Sequence, residues 1–254
     1  GDVYKRQGAG LLGIYISAVL PIYAAIPVVI ILTVALGFFI ERAAYKPLRN
    51  APRMSVMISA IGVSYLLENT ATYVTGGQPM TYPTIGILNK TIDIVGTSTK
   101  LVVIITPVLV LVLIVLLTQL INHTKIGMAM RAVSKDFETA RLMGIKINNV
   151  ISMTFVIGSA LAVVGSILYF TTYPAITPTA GAMPGLKAFV AAVFGGIGSI
   201  PGAFLGGLLL GIIEALAKAY ISTTLANAIV FAVLIVVLLV KPAGLLGRYV
   251  PEKV

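Results

Sequence analysis

Residues 101–121, LVVIITPVLVLVLIVLLTQLI, run for 21 positions without one charged side chain. Wound as a helix, such a run is about as long as the ~30 Å hydrocarbon core of a bilayer is thick. Further apolar runs fill 22–40, 54–74, 150–170 and 225–240, and a partial run at 8–20 is closed by Pro21. The whole chain is 58% hydrophobic and only 10% charged, with a mean hydropathy of +1.04. A soluble domain carries about 25% charged residues on its surface. Lipid is therefore the solvent, and since an open backbone cannot be left in lipid, the spans must be helices. The expected fold class is all-α: a polytopic transmembrane helix bundle.

Several chemistries are excluded. Without cysteine there is no disulfide, thiolate metal site or cysteine nucleophile. The single histidine, His123, reads as a polar residue at the interfacial end of a helix. No catalytic constellation and no metal site is expected. The chain lacks a G-x-x-x-x-G-K-[ST] sequence, so it is expected to hold no ATP through a P-loop and no other cofactor.

The first seven residues, GDVYKRQ, do not fit the apolar sequence that begins at Gly8 and read as a sequencing or assembly artefact. The transmembrane domain is taken as 8–254, and its natural N-terminus is expected to be missing.

The net charge of +10 is distributed as a topology signal, not as a nucleic-acid footprint. The loop at 41–53 holds Arg42, Lys46, Arg49 and Arg53, and the loop at 122–149 holds Lys125, Arg131, Lys135, Arg141 and Lys146. The C-terminal tail adds Lys241, Arg248 and Lys253. All three lie on one side if 54–74 and 101–121 go out and back. The opposite side keeps Lys90, Lys100, Lys187 and Lys218. The basic loops and the C-terminus of this multi-pass protein are accordingly expected in the cytoplasm.

Between 186 and 219 two shorter apolar runs are split by GGIGSIPG, with Gly195, Gly196, Gly198, Pro201 and Gly202 as the helix break. Two short spans or one re-entrant hairpin both satisfy the topology. Gly158, Ala162 and Ser166 lie four apart, as do Gly202 and Gly206, and Gly207 and Gly211. This spacing lets helices approach closely, either within the subunit or against a second one.

Acidic residues inside apolar runs need a reason. Glu214 is followed four residues on by Lys218, which makes a helical ion pair available. Alternatively Glu214 or Glu68 lines the translocation path, or relays protons in a secondary transporter.

The polar stretch at 130–145, MRAVSKDFETARLMGI, interrupts the apolar runs on the cytoplasmic side. It has no helix breaker from Met128 to Met143, and Gly144 is a natural stop, so one short amphipathic helix is expected. Val133, Phe137, Ala140 and Met143/Gly144 would form its apolar stripe. That stripe must rest on something, either lipid headgroups or a groove on a soluble partner.

Glu138-Thr139-Ala140, followed after three residues by Gly144, resembles the coupling-loop pattern of ABC importer permeases. More widely, IERAAYKPLRNAPRMSVMISAIGVSYLLEN at 40–69, GIKINNVISMTFVIGSALAVVGSIL at 144–168 and MPGLKAFVAAVFGGIGSIPGAFLGGLLLGIIEAL at 183–216 resemble branched-chain amino-acid permeases of the LivH type. The likeness extends from about residue 8 to KPAGLLGR at 241–248. It implies a permease subunit of an ATP-driven importer of leucine, isoleucine and valine. It also implies a second related permease subunit, two cytoplasmic ATPase subunits that use the ATP, and an external amino-acid-binding protein. Phe137, Glu138, Ala140, Arg141, Leu142 and Gly144 would form the ATPase contact. The competing readings are a related ABC permease for sugars, amides or urea, and a secondary transporter or channel that works alone.

Overall fold

The computed structural model describes residues 12–14, 16, 22–49, 51–82, 90–94 and 97–247. The heptapeptide at 1–7, Pro21, Arg248 and Lys253 lie outside the described residues. The chain forms two compact units, Gly1–Ala182 and Met183–Val254.

In the first unit, helix α1 (Ile22–Ile40) runs into a π-helical turn at Glu41–Tyr45. After a short loop, α2 covers Arg53–Thr75 and α3 covers Leu101–His123. Two short helices, α4 (Lys125–Lys135) and α5 (Phe137–Leu142), lead to the long α6 (Ile147–Thr172). The pairing of α1 with α6 centres on Val29 and Val163, with Ile30 and Ile167 beside them. Of the three small residues spaced four apart on α6, Ala162 and Ser166 are buried within the unit and Gly158 is half-buried.

The segment between α2 and α3 carries two antiparallel ladders that hydropathy does not signal. Strand β1 (Met80–Thr81) pairs with β4 (Ala175–Ile176), the short strand after α6, with Met80 opposite Ile176. Strands β2 (Thr91–Ile94) and β3 (Thr97–Lys100) form a hairpin with Thr91 opposite Lys100. Tyr82, Phe170 and Ile176 make a small buried core under the first ladder, and burial pushes the Tyr82 phenol above its ordinary pKa.

The second unit contains α7 from Met183 onward (the helix is Ala182–Gly195), α8 (Ile200–Tyr220) and α9 (Ala226–Val240). Gly196 at φ +110° and Gly198 at φ +90° turn the chain between α7 and α8, in a region closed to most L-residues. Ser199 then caps α8 by accepting from the Gly202 amide at 3.1 Å, with Pro201 in the first turn. Gly195, Gly202 and Gly206 bring the two helices into backbone contact; a Cβ on Gly206 would strike the Ala191 carbonyl. The segment after α9 returns to this turn. The amides of Leu245 and Leu246 donate to the carbonyls of Phe194 and Gly195, both at 2.9 Å. Val190, Phe194, Leu210 and Val230 are the buried core of this unit.

Among the described residues, four helical stretches are long and apolar enough to cross a membrane: Ala24–Tyr45, Leu101–His123, Ile147–Thr172 and Ile200–Tyr220. Three match expected spans. The expected span at 54–74 is α2, whose 23 residues are long enough, but Ser64, Glu68, Asn69, Thr70 and Thr72 make it more polar than the others. Its hydroxyls are quieted locally, since Thr70, Thr72 and Thr75 donate to carbonyls four residues back. The expected span at 225–240 is α9, with 15 residues, or about 22 Å of helix against ~30 Å of hydrocarbon. The second half of the Gly-interrupted segment, by contrast, is the full-length α8.

Candidate coupling site

The polar stretch begins where α3 ends. Thr124 accepts from the Gly127 amide at 3.1 Å and donates to the Leu120 carbonyl at 2.6 Å, ending one helix and capping the next. Gly127 is required by proximity: a Cβ there would meet the backbone of Leu120 and Ile121. The chain thus leaves α3 in a tight corner and starts α4.

The expected single helix from Met128 to Met143 is instead two helices. Asp136 adopts an extended conformation (φ −156°, ψ 116°) and separates α4 from α5. Its Oδ1 accepts from the amides of Glu138 at 2.9 Å and Thr139 at 3.3 Å, and Oδ2 accepts from the Thr139 hydroxyl at 2.5 Å. Residue propensity favours continuation through this point, but an aspartate that satisfies two otherwise unpaired amides favours a new start. The local signal was Asp136 placed three residues before Thr139, with Glu138 in the first turn, an arrangement typical of a helix N-terminus.

The break also divides the expected apolar stripe. Val133 on α4 and Ala140 on α5 are buried, Ala140 to 3% exposure, whereas Phe137 and Met143 are exposed. Around α5, Glu138 and Arg141 are exposed and Leu142 is 86% exposed. Ala140 is therefore the residue by which α5 rests on its own chain. Phe137, Leu142 and Met143 are apolar groups offered outward. Gly144, at φ +79°, stops the helix, and the Ile145 amide closes back on the Ala140 carbonyl at 3.1 Å. Nothing lies within 4 Å of where a Gly144 Cβ would be. The glycine is needed for its backbone angle, and the space above it is open.

A cleft of about 770 Å³ lies beside α5, lined by Arg49, Phe137, Glu138, Arg141, Lys146 and Asn148 among others. Arg49 reaches it from the loop between α1 and α2 and is held on both sides. Its guanidinium pairs with Glu41 and donates to Asn148 Oδ1 at the start of α6. Glu41 is only 1% exposed, and its second carboxylate oxygen accepts from the Ser152 hydroxyl at 2.8 Å. Hydropathy reading missed this cluster, because Glu41 and Arg49 in one loop meet Asn148 and Ser152 at separations of 99 and 111 positions.

The other acidic candidates lie in different units. Glu68 is half-buried on α2 and has no ion pair among the described residues. Glu214 makes the anticipated pair with Lys218 at 2.6 Å and a second, unanticipated pair with Lys187 of α7 at 2.7 Å. One carboxylate thus meets two ammonium groups. Among the described residues no cluster of His, Cys, Asp or Glu could hold a metal ion.

Comparison with known proteins agrees with this architecture. Residues 7–238 match the family model described as the permease component of branched-chain amino acid transport systems. The chain is 42% identical over 244 residues to the high-affinity branched-chain amino acid transport permease BraD of Pseudomonas aeruginosa, covering 94% of this chain and 78% of that one. It is 44% identical over 231 residues to LivH of Salmonella typhimurium, covering 89% and 74% respectively. A probable LivH of Methanocaldococcus jannaschii is 27% identical over 195 residues, 73% of this chain and 59% of the relative. No solved structure matches the chain. Apolar helices of spanning length, a capped polar helix between them and a family match across nearly the whole chain lead to one conclusion: this protein belongs to the family of branched-chain amino acid transport permease components.

Proposed function

We propose that the chain is the membrane-spanning subunit through which an ATP-driven importer passes leucine, isoleucine and valine, and that α5 is its contact with a separate ATPase. The observation that carries the reading is the exposed face of α5. Phe137, Leu142 and Met143 stand outward beside Glu138 and Arg141, on a six-residue helix held at both ends by Asp136 and Gly144. A short helix with an apolar face rimmed by charge is suited to a groove on another protein. The substrate class is taken from the named relatives at 42–44% identity.

In this reading the chain binds no cofactor and hydrolyses nothing. Its sequence lacks a P-loop, and ATP is used by the partner. The full assembly comprises this chain, a second related permease subunit, two cytoplasmic ATPase subunits and an external amino-acid-binding protein. The chain sits in the bacterial cytoplasmic membrane with its basic loops and C-terminal end inside, which fits the lysine and arginine distribution. The domain runs from residue 8 to 254, with 122–149 as its coupling loop.

Mechanistically, the permease provides an apolar passage and leaves selectivity to the external protein. ATP-driven closure of the ATPase pair moves α5, and α5 moves the helices joined to it. Glu214 keeps its two lysines throughout and is not the site for the substrate ammonium group.

Expression with the neighbouring transport genes tests the reading. The ATPase should co-purify with the wild-type chain in detergent and be lost when Glu138→Arg and Gly144→Trp are combined. A complex that survives the double substitution, or a folded permease that imports leucine with no ATPase present, would overturn it.

A further inference from the structure

The cleft beside α5 is also lined by residues from outside α5. Arg49 and Asn148 line it together with Phe137, Glu138 and Arg141. The same two residues belong to the cluster built on the buried Glu41. Glu41 opens the π-helical turn that continues α1, and Asn148 and Ser152 lie in the first turns of α6. Tyr45, four residues after Glu41, packs its ring against Phe155 of α6 with 5.2 Å between centroids. The end of α1 is therefore pinned to the start of α6 by an ion pair, hydrogen bonds through Asn148 and Ser152, and an aromatic contact. Farther along, the same two helices share the Val29–Val163 core.

We propose that Glu41, Arg49, Asn148 and Ser152 are positioning residues for coupling: a clasp that makes α1 and α6 move as one body when α5 is displaced. The inference rests on α5 being the ATPase contact. Only Met143 to Lys146 separate α5 from α6, so a push on α5 reaches the start of α6 directly. Without the clasp, α6 could swing there while α1 stayed behind. A carboxylate that is 1% exposed is strongly committed to its partners, since an unpaired charge is expensive to keep out of water. That makes the joint stiff. Arg49 keeps one further donor, Nε, buried without an acceptor among the described residues. The guanidinium is thus not fully used in this conformation and has a donor available when the neighbouring helices shift.

The test uses the complete reconstituted transporter, with ATPase and binding protein, and reads ATP hydrolysed per leucine imported. Glu41→Gln should keep the ATPase bound and raise that ratio about tenfold, within the usual range of coupling between distant sites. Ser152→Ala removes one hydrogen bond and leaves the ion pair, so its ratio should rise about twofold. Adding Asn148→Asp to Glu41→Gln returns a carboxylate to Arg49 from the other side and should bring the ratio back toward wild type. A wild-type ratio in both Glu41→Gln and Ser152→Ala overturns the clasp, including the case in which import and hydrolysis fall in parallel. If Glu41→Gln does not accumulate in the membrane, the ratio of Ser152→Ala decides alone. Failure of the underlying reading is separate: it appears as an ATPase that stays bound to the Glu138→Arg, Gly144→Trp chain.

Discussion

Replacing Asp136 with alanine tests the structure at the point where it departs most from residue propensity. The carboxylate accepts from the amides of Glu138 and Thr139 and from the Thr139 hydroxyl. Removing an N-cap of this kind costs about 1 kcal/mol, with a range of roughly 0.5–2. For a long packed helix that loss would be absorbed, but α5 has six residues and isolated helices under ~12 residues are marginal in water. Its order rests on Asp136, Gly144 and the burial of Ala140. Alanine at 136 also removes the obstacle to continuing α4 straight through, which would carry Phe137 and Leu142 away from their present directions. If the docking-competent form is weakened by about 1 kcal/mol, the apparent affinity for the ATPase falls about fivefold. Titrating the ATPase against the purified permease in nanodiscs measures this directly. Asp136→Asn, which keeps a capping oxygen, should lose less than half as much free energy. Affinity within experimental error of wild type for Asp136→Ala would show that the two-helix form is not what the ATPase recognises.

Three further outcomes rest on the packing and the topology. Gly206→Ala should lower the thermal unfolding temperature in detergent, because its Cβ meets the Ala191 carbonyl, and overpacking of this kind costs roughly 1–3 kcal/mol. Gly211→Ala, with nothing within 4 Å of its Cβ, should leave that temperature within error or raise it, and equal losses in the two variants would refute the close approach of α7 and α8. Glu214→Gln removes the carboxylate shared by Lys187 and Lys218 and should destabilise more than Lys218→Met, which leaves the Lys187 pair in place; the reverse order would mean that the lysines are not held as described. Since the chain has no native cysteine, Ser134→Cys should react with an impermeant maleimide only from the cytoplasm and Thr91→Cys only from outside, and an inverted pattern would reverse the topology.

Much of this protein was legible residue by residue because lipid imposes a simple demand. Any segment within the membrane must satisfy its backbone internally and present apolar side chains outward, so α1, α3 and α6 are visible as uncharged runs. The Glu214–Lys218 pair follows from helical spacing. Gly144 is legible for a similar reason: the end of a short helix needs a left-handed residue, and few residues other than glycine supply it. The limits are equally physical. Hydropathy treats α2 and α9 as equal to the other spans, since it responds to averages over a window and not to where Glu68, Asn69 and the threonines fall or where a helix stops.

What the sequence by itself determined is the class of molecule and the family, together with most of the membrane-spanning helices. Tertiary structure alone decided how that segment is held. Whether Asp136 sits inside a helix or starts one depends on a balance of about 1 kcal/mol between propensity and capping, and the packing of Val133 and Ala140 against the chain accompanies the second choice. The Glu41–Arg49–Asn148–Ser152 cluster, the Lys187–Glu214 pair and the return of Leu245 and Leu246 to the α7–α8 turn join residues far apart in the chain. Such contacts leave no periodicity behind, because they are set by which helices meet and at what height, and one chain read in order carries no direct record of either.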